Sequence, residues 1–147
     1  MKAPEPAVAG LIGVAMLAPA TTATADSPWG AQSAIIAVSG TGSGLVVIAP
    51  NSSGQGDFRA HVIVNVHNTA PDTLFSVTRA VDFTPDGVCT GTQFDQVATL
   101  QTSSAGAGAV NFERSGAPSG TVFDVVLRLS SQDGTDLQSG CLTITVK

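Results

Sequence analysis

The chain has 147 residues, of which 43% are hydrophobic and 12% charged, with six basic against eleven acidic side chains and a net charge of −5. Beyond Lys2 the basic residues are Arg59, Arg79, Arg114, Arg128 and Lys147. They are scattered, so no basic patch exists to neutralise phosphates, and neither nucleic acid nor an anionic membrane surface is expected as a partner.

The first 25 residues differ from the rest. An apolar run from Ala7 to Ala20 follows Lys2, and Ala23 and Ala25 form an A-x-A pair before Asp26. This pattern is that of a secretory signal cut after Ala25. The run falls short of the roughly 20 residues that span a bilayer, so no membrane span is expected once the signal is removed. The first cysteine is Cys89, which excludes a lipoprotein anchor. Residues 26–147 then form one domain, and the protein is expected outside the cell.

In that domain glycine, serine, threonine and valine dominate, and no segment reads as a helix. Period-two runs predict strands near 31–39, 44–49, 59–67, 74–83, 95–102, 108–114, 121–130 and 138–146. Turn residues separate them. "SGTGSG" at 39–44 supplies glycines, "NTAPDT" at 68–73 carries Pro71 and Asp72, and "TPDG" and "SQDG" mark turns at 84–87 and 131–134. Short strands at this spacing predict an all-β fold, a β-sandwich of about seven or eight strands.

Alternation assigns faces. In "HVIVNVH", Val62, Val64 and Val66 point inward, and His61 and His67 share the polar side. Six residues of strand rise about 20 Å. Zinc ligands lie about 2.1 Å from the ion, so these two histidines cannot share one. In 121–130, Phe123, Val125, Leu127 and Leu129 are expected inside, with Val122, Asp124, Val126, Arg128 and Ser130 mostly facing water. Leu142, Ile144 and Val146 close the core. Cys141 shares the outward parity unless Gly140 forms a bulge that re-aims it. Arg79 falls in an apolar row; it either snorkels to water at the edge, the favoured reading, or holds a buried carboxylate.

The only cysteines, Cys89 and Cys141, are expected to form a disulfide closing about 52 residues. No catalytic, cofactor-binding or metal-binding set stands out. There is no G-x-S-x-G elbow and no phosphate-binding loop with its lysine, and Glu113 is the one glutamate of the domain. His67 with Asp72 is the most that a hydrolase reading can draw on. Asp133 and Asp136 frame a hairpin turn rather than a calcium loop. "NSS" at 51–53 matches a glycosylation sequon, and Trp29 is the lone tryptophan.

From Pro71 to Val146 the chain resembles a group of small secreted proteins of high-GC Gram-positive bacteria. The residues that carry the resemblance are "APDTLFSVT" at 70–78, Cys89 after a glycine turn, "TLQTSSAGAGAVNF" at 99–112, and "VFDVVLRLS" with Cys141 in a closing strand. The resemblance implies an immunoglobulin-like sandwich without assigned activity. The expected function is a non-catalytic adhesion, cell-surface or envelope interaction module, with a protein or envelope component as partner and no cofactor. The alternative is a secreted hydrolase or small-ligand carrier with a pocket that sequence does not reveal.

Overall fold

Strands with one apolar face can bury it only by pairing into a sheet that curls around that face. The computed structural model describes residues 24–27, 30–50, 57–118 and 120–146, with side chains for 31–49, 60–114 and 120–146. It holds ten strands: β1 Thr24–Ser27, β2 Gly30–Ser39, β3 Ser43–Pro50, β4 Asp57–His67, β5 Leu74–Asp82, β6 Asp95–Gln101, β7 Gly108–Pro118, β8 Val122–Ser131, β9 Asp136–Ser139 and β10 Leu142–Thr145. No helix occurs among the described residues. The expected cleavage point after Ala25 falls inside β1, where Thr24 pairs with Gln32. Residues 1–23, Trp29, the "NSS" segment and Lys147 lie outside the described residues.

Every pairing is antiparallel, and the hydrogen-bonded path runs β6-β5-β8-β9-β2-β3-β4-β7, with β1 on β2 and β10 on β8. The two ends of this path, β6 and β7, follow one another in the chain and meet through a tight turn in which Ser103 N–H donates to the Ala107 carbonyl. The sheet is therefore nearly barrel-shaped. Its interior is filled by Phe75, Val77, Leu100, Leu129, Leu137 and Leu142, joined by the inward valines of β3 and β4.

The alternation expected for β4 holds. Val62, Val64 and Val66 are buried, and His61, Asn65 and His67 lie on the other side. The "SQDG" turn joins β8 to β9, with Gly134 at φ 92° and Ser131 N–H donating to the Thr135 carbonyl. The crossover from β4 to β5 is tied to the β6–β7 turn by buried threonines. Thr102 Oγ1 accepts from Thr73 N–H at 2.8 Å, and Thr69 Oγ1 donates to the Gly106 carbonyl at 3.0 Å. Gly106 has φ 75°, and a Cβ there would come 2.2 Å from the Thr69 carbonyl oxygen, so no side chain fits.

Two expectations are corrected. The final strand is broken at Gly140–Cys141 into β9 and β10, and burial changes phase there. Leu137 and Ser139 point inward before the break, Leu142 and Ile144 after it. The extra residue is the bulge anticipated as one possibility at Gly140. On β8, Asp124 and Val126 do not face water: Asp124 has no solvent exposure and Val126 is buried with it. Alternation correctly puts them on the outer face of the sheet, but that face is covered by a loop.

Burial on adjacent residues of β4 yields a direct test. Val64→Asp buries an unpaired carboxylate in the core and is expected to cost more than about 3 kcal/mol. Asn65→Asp, one residue along on the outer face, should stay within about 0.5 kcal/mol. Urea unfolding of both variants checks the pair; equal effects would mean that the register is wrong.

Candidate functional site

The covering loop runs from Phe83 to Phe94 and connects β5 to β6. Cys89 and Cys141 are joined as a disulfide with Cα atoms 5.5 Å apart, which fixes the loop to the break between β9 and β10. At the loop's far end the Phe94 ring lies 4.4 Å from the Arg128 guanidinium carbon, a cation–π contact. Arg128 also reaches Gln138 at 3.3 Å and Asp136 at 3.7 Å. Between these anchors the backbone lies against the sheet. Gly91 sits so close to β5 that a Cβ there would meet the Ala80 Cβ at 3.4 Å. Ala80 pairs with Val126 across β5 and β8, which explains why both are buried on an outer face.

The next pair along that face is polar. Asp82 of β5 stands directly opposite Asp124 of β8, and Asp124 stands opposite Thr143 of β10. Like charges opposite one another destabilise a sheet. With Asp86 from the loop, three carboxylates lie within 4.8 Å of one another. Their charge is met by donors that the loop and β10 supply. Asp82 accepts from Thr84 N–H at 2.9 Å and from the Thr90 hydroxyl at 2.8 Å. Asp86 accepts from Val88 N–H at 3.0 Å. Asp124 accepts from Gly87 N–H at 2.9 Å and from the Thr143 hydroxyl at 2.6 Å. The Thr84 amide, then the Thr90 hydroxyl and amide, hold the Asp82 carboxyl below the usual aspartate range. Three carboxylate side chains are the donor type of a hard cation such as calcium, which takes six to eight oxygens, and each carboxylate here already accepts at least one backbone N–H.

The remaining side chains singled out in the sequence are dispersed. His61 Nδ1 lies 3.9 Å from Glu113 on the neighbouring strand, and His67 Nε2 lies 3.1 Å from the Ser43 hydroxyl. Both histidines stand on the outer face of the sheet formed by β2, β3, β4 and β7. Ser43 and His67 are an exposed pair, and among the described residues no carboxylate contacts His67, so Asp72 does not join it. Arg79 is half-buried on β5; burial, and then the nearby Arg114, make its guanidinium easier to deprotonate, while Asp95 opposes them. Asp133 caps the β8–β9 hairpin by accepting from Thr135 N–H and the Ser131 hydroxyl. Asp136 accepts from Ser130.

Phe83 and Val88 crown the loop, 70% and 57% exposed. The Phe83 ring lies 6.1 Å from that of Phe123, so one side of it is supported by the sheet. Comparison with known proteins adds no assignment: no family model matches the chain, and no curated protein is significantly similar to it. The gathering of Asp82, Asp86 and Asp124 was missed at the level of sequence because Asp82 and Asp124 lie on paired strands but far apart in the chain. The usable signal was the density of turn residues in "DFTPDGVCTGTQFD", which had to fold back somewhere once Cys89 met Cys141.

Two tests follow from this geometry. Asp124→Ala leaves two donors unpaired under the loop and is expected to cost about 1–3 kcal/mol. Cys89→Ser is expected to cost about 2–5 kcal/mol. Differential denaturation of the two variants measures both. The second test is acid sensitivity. A depressed folded-state carboxyl contributes stability that is present above the unfolded aspartate value of about 3.9 and lost as pH falls through the lower folded value. Stability should therefore decline in acid below about pH 4, and Asp82→Asn should flatten that decline. A pH profile unchanged by Asp82→Asn would contradict the assigned hydrogen bonds.

Proposed function

We propose that the chain is a secreted, non-catalytic interaction module whose contact element is the disulfide-pinned loop Phe83–Phe94, and that it engages a protein or a component of the cell envelope. The observation that carries this reading is the exposure of Phe83 and Val88 on a loop held near its middle by the Cys89–Cys141 disulfide and at its end by Phe94 on Arg128. Exposed apolar side chains on a rigid frame are what an interface needs, because little conformational freedom is lost on contact. Aromatic anchors of this kind dominate measured binding energies. Secretion is supported by the disulfide, which suits an oxidising compartment, and by the A-x-A pair that precedes Asp26. No helix among the described residues is long and apolar enough to cross a membrane.

The motifs between Ala70 and Val146 support placing the sheet with the immunoglobulin-like sandwiches of the small secreted group that they resemble. The non-catalytic reading is supported by the dispersal of the histidines. A hydrolase brings a nucleophile, a base and an orienting acid together in one cleft. Here Ser43 and His67 stand on an open sheet face.

Co-sedimentation with envelope fractions of the producing cells tests the proposal. The double variant Phe83→Ala with Val88→Ser should bind at least about tenfold more weakly while keeping the native melting profile. Undiminished binding by this variant would remove the loop from the interface.

A further inference from the structure

The barrel-shaped sheet is not closed by backbone pairing. β6 and β7 leave the Ser103–Ala107 turn as neighbours, yet among the described residues no ladder joins them. Each strand therefore presents an edge of unpaired N–H and C=O groups to the seam between them. Burial shows where the seam opens. Leu100, near the turn, is buried. Farther along, Val97 and Ala98 on β6 and Val110 and Phe112 on β7 pack on the core but are only partly buried. Their partners on the next strands are buried: Val77 opposite Ala98, Val64 opposite Val110 and Val62 opposite Phe112. Cover is thus missing on the seam side.

Charge marks the open end. Arg114 of β7 shares the inward row with Phe112, since it pairs with buried Ala60. Arg79 of β5 pairs with buried Leu127 on one side and with Asp95 of β6 on the other. Two guanidinium groups and one carboxylate stand at the mouth, a local excess of positive charge in a chain of net −5. The ion pairs among the described residues are His61–Glu113 and Arg128–Asp136, so neither arginine is paired there. Arg79 and Arg114 also repel one another, which makes Arg79 easier to deprotonate.

We infer that the seam takes an extended strand of a partner protein, paired antiparallel to β7, with an acidic side chain against Arg79 and Arg114 and apolar side chains two and four residues further on. An open strand edge takes up a backbone in extended form. Between Gly108 and Arg114 the β7 ladder keeps unbroken register and holds no proline or lysine, the residues that blunt an edge. Alternation then fixes the spacing. The residue opposite Arg114 faces the guanidinium groups, the next inward one faces Phe112, and the one after that faces Val110. Antiparallel direction puts the acid N-terminal to the apolar pair. The arginines select a carboxylate because a guanidinium binds it through paired N–H donors, and they repel a basic residue at the same place. The seam uses none of residues 83–94, so this reading and that of the loop fail separately.

Selection of a surface-displayed library of random heptapeptides against the oxidised protein tests the inference. Enriched sequences should carry Asp or Glu followed at the second and fourth positions by apolar residues. A blocked peptide of that pattern should bind with a Kd of about 10 μM to 1 mM, in the range of small transient contacts. Its analogue with Gln in place of the acid should bind at least about tenfold more weakly. Amide shifts on titration should map to residues 96–99 and 110–114. Arg114→Gln should abolish the distinction between the two peptides, whereas Phe83→Ala with Val88→Ser should preserve it. The comparison of the two peptides uses the unaltered protein, so it holds even if a variant folds poorly. The inference is overturned by the absence of an enriched pattern, by enrichment of basic peptides, by equal binding of the peptide in reversed order, or by shifts confined to residues 83–94.

Discussion

Two aspartates set directly opposite each other on paired strands, one of them without contact with water, impose the main constraint on this molecule. Asp82 and Asp124 would repel in a bare sheet, and Asp124 would lie unsolvated without partners. The Phe83–Phe94 loop resolves both problems at once. Its amides and hydroxyls donate to the carboxylates, its Gly91 covers Ala80, and Phe94 covers Arg128. In turn the carboxylates organise a loop that has no regular structure of its own. The disulfide closes this arrangement by tying the loop to the strand break at Gly140–Cys141. β8 is thereby buried on both faces at Asp124–Leu127, which makes it the centre of the fold rather than one strand among ten.

Much of this was legible in the sequence where one face of a strand is wet. "HVIVNVH" placed its valines and histidines correctly because β4 meets the core on one side and solvent on the other. The "SQDG" hairpin was legible because a glycine at positive φ is a local requirement. The cysteine pairing followed from there being two in the chain. Alternation failed at Asp124 and Val126 for a physical reason: a period of two tells one face from the other but cannot say whether the outer face is covered. Cover arrives here from a loop some 40 residues earlier in the chain. The short β1 carried no apolar run to announce it, and the β9–β10 break showed only as a glycine beside a cysteine.

The same reasoning separates what the two sides of the sheet can do. On the β5–β8 side, polar groups are spent on each other and on holding the loop, and what remains exposed is the apolar crest of Phe83 and Val88. On the β2–β3–β4–β7 side the outward rows mix alanine, valine, isoleucine, leucine and asparagine with Ser43, His61, His67 and Glu113.

Native-state hydrogen exchange at Gly87 addresses the central claim most directly, because its amide donates to the buried Asp124 carboxylate from the middle of the loop. If the loop is an integral part of the fold, the Gly87 amide is protected to nearly the same degree as the amides of β8. Reduction of Cys89–Cys141 under native conditions then strips protection from Gly87, Val88 and Thr90 before it affects Leu127 or Leu129. Exchange of the Gly87 amide at the rate of an unstructured peptide in the oxidised protein would contradict the account.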